Sequence, residues 1–126
     1  HEDKAKMKRR SWAKRIKAAC EEVGTYRPSF DNVIDTLASI LEQRDEADAL
    51  FRKSKEPAVV KHVNKAGAVN SVINPMVDLV NKLNAQALSY WRDLGLTPLG
   101  LKRIDEKALK NSQKDAFTSI LEGIID

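Results

Sequence analysis

The chain has 126 residues, 42% hydrophobic and 32% charged, a size and balance that fit one domain spanning 1–126 and leave little for a second core. Its one cysteine, Cys20, excludes an intrachain disulfide and a cysteine-rich zinc site, so a reducing compartment is expected. No apolar run reaches the roughly twenty residues that cross a bilayer, so no membrane partner is expected.

The net charge of +4 is unevenly placed. Lys4, Lys6, Lys8, Arg9, Arg10, Lys14, Arg15 and Lys17 oppose only Glu2 and Asp3 in the first 17 residues, a local +6 that leaves −2 for the remainder. A basic arm on a balanced body is the pattern of a protein that meets a polyanion at one end, and its density exceeds what a solvated face needs for solubility.

Five Gly and four Pro punctuate long runs of helix formers, which predicts a mainly α fold. From about Asp3 to Val23 the stripe Trp12, Ile16, Ala19 or Cys20, and Val23 has helical spacing, and Gly24 is its stop. A second helix is expected from Ser29, as N-cap, to Pro57, with Asp31 suiting the helix dipole. Its apolar set includes Phe30, Val33, Ile34, Leu37, Ile40, Leu41, Ala47, Leu50 and Phe51. Glu42, Asp45, Glu46 and Asp48 in its middle face either solvent, the favoured reading, or a neighbour's basic arm.

Val59–Val63 and Ala68–Ile73 flank Asn64-Lys65-Ala66-Gly67 and predict a small β-hairpin, which must lean on helices or on another subunit to be stable. A third helix is expected over Pro75–Leu94, opened by Asn74-Pro75 and stopped at Gly95. Met76, Val80, Leu83, Ala87, Tyr90 or Trp91, and Leu94 run along it, which fits either a coiled-coil-like seam or the core helix of a monomer. After Thr97, able to cap a segment opening at Pro98, a short helix over Leu99–Ile104 is expected. A last helix from about Ser112 carries Phe117, Ile120, Leu121, Ile124 and Ile125. The predicted architecture is thus a basic amino-terminal helix (1–24), a core of long antiparallel helices with a small hairpin between the second and third (29–95), and carboxyl-terminal helices (97–126).

Catalytic chemistry has little to stand on. His62 has no Cys, Asp or Glu at ligand spacing, and Asp31 with Asp35, one turn apart, lack further ligands. No Gly-x-x-x-x-Gly-Lys phosphate cradle occurs, and neither Ser-His-Asp nor Cys-His logic can be assembled, so a non-enzyme without cofactor or metal is expected. The basic helix is the stronger signal, because Trp12 and Ile16 can dock one face while the other presents Lys and Arg to phosphates.

Asn74-Pro75, a helix of about twenty residues, and then Gly95-Leu96-Thr97-Pro98 followed by Lys102 and Arg103 resembles the small subunit of tailed-phage terminases. Trp12, the long second helix and the ribbon with Gly67 extend the resemblance over most of the chain. It implies a non-catalytic component of the genome-packaging motor in the host bacterial cytoplasm. Such a protein assembles into a ring, binds double-stranded phage DNA through the basic residues named above, and recruits or regulates the large subunit that holds the ATPase and nuclease. Leu37, Ile40, Leu41, Val80, Leu83, Ala87, Trp91 and Leu94 are then the expected subunit interface, and Phe117–Ile125 the favoured surface for the large subunit. A small dimeric DNA-binding transcriptional regulator is the alternative.

Overall fold

A computed structural model describes residues 8–125, with side chains to 124; Lys4 and Lys6 lie outside the described residues. Helix α1 spans Arg9–Val23, a 3-10 turn Pro28–Phe30, α2 Asp31–Ser54, the strands β1 Val59–Val63 and β2 Val69–Ile73, α3 Pro75–Asp93 and α4 Pro98–Ile125. The mainly α expectation is met, with the hairpin between the second and third helices. α2 and α3 lie along each other as antiparallel arms, joined at one end by the hairpin, and α1 packs across α2.

The core follows the apolar stripes. Ile16 and Cys20 from α1, Ile34, Leu37, Ala38, Ile40 and Leu41 from α2, Leu83 and Ala87 from α3, and Leu94 form one buried cluster. Trp12, Tyr26, Phe30, Val33, Tyr90, Trp91 and Leu96 pack around its edge.

Helix ends obey local chemistry at most boundaries. Gly24 adopts φ 78°, and the Gly24 and Thr25 N–H groups donate back to the Glu21 and Cys20 carbonyls at 3.2 and 2.9 Å, closing α1. The Asn74 side chain accepts from the Met76 N–H at 3.0 Å while Pro75 fills the first helical position.

Three expectations are corrected. Ser29 is not an N-cap: residues 28–30 form a 3-10 turn that feeds directly into α2, and the nearby Asp31 carboxylate accepts the Tyr26 hydroxyl at 2.8 Å. α2 stops at Ser54, short of Pro57, because Lys55 turns left-handed at φ 57°. The carboxyl end is one helix of 28 residues rather than two. No Gly or Pro interrupts residues 101–122, and Asn111-Ser112 costs a helix only about 1 kcal/mol together, too little to break it.

The hairpin pairs Val59 with Ile73, Lys61 with Ser71 and Val63 with Val69, around a turn in which Gly67 takes φ 82° and the Asn64 side chain accepts from the Ala66 and Ala68 N–H groups. One face carries Val59, Val63, Val69 and Ile73, all exposed. α4 leaves the body after Ile104, and every described side chain from Asp105 to Ile124 is exposed. No helix among the described residues is long and apolar enough to cross a membrane.

Candidate nucleic-acid interface

α1 is held by its inner face. Ile16 and Cys20 are fully buried, and the half-buried Trp12 donates its indole N–H to Asp45 Oδ2 at 2.7 Å. Asp45 in turn accepts from Arg44 at 3.0 Å, and the guanidinium groups of Arg15 and Arg44 each lie 5.5 Å from the Trp12 ring centroid. At the helix start the Arg9 main-chain N–H donates to Glu42 Oε2 at 2.7 Å. A carboxylate from α2 therefore caps α1, which has no capping side chain and no acidic residue of its own in the first turn. Two of the acidic residues expected to face solvent, Glu42 and Asp45, instead hold the basic helix of the same chain.

This docking sorts the basic residues. Arg9, still exposed, has its Nε 3.6 Å from Asp35 Oδ1, and the Arg15 guanidinium lies over the Trp12 ring. Lys17 Nζ sits 4.8 Å over the Tyr26 ring while remaining exposed. Arg10, Lys14 and Lys17, at i, i+4 and i+7, run along the side of α1 away from the core, and Lys8 stands exposed at its amino end. Among the described residues, no group of three or more His, Cys, Asp or Glu is gathered to hold a metal.

The stripes expected to face another subunit are largely spent inside the chain. Leu37, Ile40, Leu41, Leu83, Ala87 and Leu94 are 0–9% exposed in the core between the helices, which leaves the half-buried Val80 and Trp91 as the members of that set with surface to offer.

The Gly95-Leu96-Thr97-Pro98 corner joins α3 to α4 and locks onto the end of α1. Gly95 takes φ 75°, and a Cβ there would fall 2.8 Å from Ile104 Cδ1 and 2.9 Å from Thr25 Cγ2. The Thr97 hydroxyl accepts from the Gly100 N–H at 3.1 Å, as a cap should. Two residues of this joint escaped the sequence reading. Thr25 donates to the Leu94 carbonyl across 69 positions, and Gly100 lets α4 cross the end of α3 so closely that a Cβ would meet the Arg92 carbonyl oxygen at 2.1 Å. A small residue three positions after a capping Thr was the available signal for Gly100; nothing local marks Thr25.

The described residues thus form a mainly α body with an anchored basic helix beside a Gly-Leu-Thr-Pro corner, and the family comparison places the chain. The family model described as phage terminase, small subunit, matches residues 9–111, and the chain belongs to that family. Its members serve phage DNA packaging and are generally non-catalytic. No curated protein and no solved structure matches.

Proposed function

We propose that this chain is the DNA-recognising, regulatory component of a phage packaging motor. It assembles as a homo-oligomeric ring in the host bacterial cytoplasm, engages double-stranded phage DNA, and recruits or regulates the large subunit that carries the ATPase and nuclease. The observation that carries the DNA assignment is the Arg10, Lys14 and Lys17 ridge on a helix whose opposite face is fixed by Ile16, Cys20 and the Trp12–Asp45 hydrogen bond. A fixed ridge presents charge without the entropy of ordering a loose arm.

Lys8 and Arg10 stand exposed near the amino end of α1, where a phosphate would add to the neutralisation that the Glu42 carboxylate begins. Contacts of this kind give affinity with little sequence information, and several copies in a ring multiply it. The ring supplies the avidity, and the large subunit supplies the chemistry.

The test is binding of the full chain to cognate phage DNA across salt concentrations, for the natural protein and for Arg10→Glu/Lys14→Glu/Lys17→Glu. Every phosphate that the variant no longer neutralises should reduce the log–log salt slope by about 0.9. The solution mass should stay unchanged. Unaltered affinity and slope in the triple variant would remove the ridge from the DNA interface.

A further inference from the structure

Among the apolar surfaces that the described residues leave uncovered, two are kept apart by one helix. The first is a groove of about 460 Å³ between the end of α1 and the α3–α4 corner, lined by Ala19, Val23, Leu96, Pro98 and Leu101 with Glu22 on its rim. The second is the stripe on distal α4, where Phe117, Ile120, Leu121 and Ile124 are 61, 61, 43 and 73% exposed. They recur at three- and four-residue intervals, so they share one side of the helix. Family resemblance does not account for this stripe, because the match ends at residue 111.

Leu101, in the groove, and Phe117 to Ile124, on the stripe, belong to the same uninterrupted helix. At 1.5 Å per residue the stripe starts about 24 Å and ends about 34 Å beyond Leu101 along the axis. With no Gly or Pro from residue 101 to 122, α4 has no hinge that would return the stripe to its own groove. Charge also matches: Lys110 and Lys114 flank the stripe by helical position, while the groove offers Glu22, which makes no ion pair among the described residues.

The geometry points to a second copy of this chain as the occupant: the distal α4 arm of one copy lays Phe117, Ile120, Leu121 and Ile124 in the groove of the next, with Lys114 beside Glu22. The contact is head-to-tail, so a repeat of it closes into a ring when the rotation permits. The inference rests on the assembled state proposed above and names its interface; it does not depend on DNA binding.

Two surface variants test it, Phe117→Asp on the arm and Val23→Asp on the groove, with far-UV circular dichroism and thermal melts showing that each keeps its fold. Sedimentation velocity of the natural chain should give an assembly, and each variant alone should require at least about tenfold higher concentration to associate. An equimolar mixture should recover a discrete two-chain species, because the Val23→Asp chain keeps a good arm and the Phe117→Asp chain a good groove. Glu22→Lys should weaken assembly and Lys114→Glu in the same chain should restore it.

If both variants assemble like the natural chain, the arm–groove contact is overturned while the oligomer stands on other surfaces. If Phe117→Asp dissociates while Val23→Asp assembles like the natural chain, the arms pair with each other and the groove is not their seat; if both dissociate and their mixture stays monomeric, the two surfaces do not meet each other and the proposal is overturned. Loss of large-subunit binding in Phe117→Asp without loss of self-association gives the stripe to that partner and overturns the proposal. A monomeric natural chain overturns the ring reading along with it, whatever the DNA affinity.

Discussion

The Thr25 hydroxyl donates to the Leu94 carbonyl at 2.8 Å, and both residues are buried. One hydrogen bond thereby joins the end of α1 to the corner where α3 hands over to α4. Thr25→Val keeps the shape and removes the donor, so it should cost about 1–3 kcal/mol. Urea titration should show a lower midpoint with an unchanged slope. Thr25→Ser, which keeps the hydroxyl, should lie closer to the natural protein; equal losses in the two would shift the weight from the hydrogen bond to the methyl group packed against Gly95.

The glycines rank by what an added methyl would meet. Gly24, at φ 78° in open space, should lose about 1–2 kcal/mol on change to Ala, from backbone conformation alone. Gly95→Ala adds pressure on Ile104 and Thr25 to a similar backbone penalty and should lose more. In Gly100→Ala the obstacle is the Arg92 main-chain oxygen, which cannot rotate away, so α4 must lift from α3 at a cost of about 3 kcal/mol or more. Thermal melts of the three variants check the order, and a Gly100→Ala protein melting with the natural one would mean that the two helices are not tightly crossed.

Arg9 and Lys14 should separate in DNA binding although both are exposed basic residues of α1. The Arg9 side chain is directed to Asp35, whereas Lys14 lies on the outward ridge. Lys14→Ala should lower the salt slope by about 0.9, and Arg9→Ala by clearly less. Identical slopes for the two variants would contradict the sorting of charges by docking.

Tyr26 has an alkaline signature. Its hydroxyl donates to Asp31, and that hydrogen bond holds its pKa above the ordinary value of 10.0, with burial and the Asp31 charge acting in the same direction and the Lys17 ammonium opposing them in part. A phenol whose folded pKa is raised contributes stability that is fully present below its unfolded pKa and lost as pH rises through the folded one. Stability should therefore fall at pH values above 10.0 in the natural chain. The fall should be shallower in Tyr26→Phe, read by denaturant midpoints across that range; parallel curves would show that the hydrogen bond does not couple to folding.

Much of the architecture was legible from residues close together in the chain. Apolar spacing located the helices, Gly24 and Gly95 their stops, Asn74-Pro75 the start of α3, and the short β-branched runs on either side of Gly67 the hairpin, because caps, turns and amphipathic stripes act over a few residues. The expected break before Ser112 failed for the opposite reason: a weak capping signal was read as a boundary where nothing in the chain interrupts the helix.

The sequence by itself determined which segments become helix, that a basic stretch occupies one end, and that a Gly-Leu-Thr-Pro corner follows the third helix, since periodicity, propensity and charge are written locally. Only the tertiary structure decided which charges remain available and which apolar faces remain open. Docking of Trp12 on Asp45 and Arg9 on Asp35 and Glu42 leaves Arg10, Lys14 and Lys17 outward, and packing of α2 on α3 consumes Leu37, Leu41, Leu83 and Ala87. α4 departs after Ile104 with its distal stripe uncovered. An amphipathic pattern specifies that a face will be buried, but the partner depends on contacts between residues far apart in the chain, which local spacing does not encode.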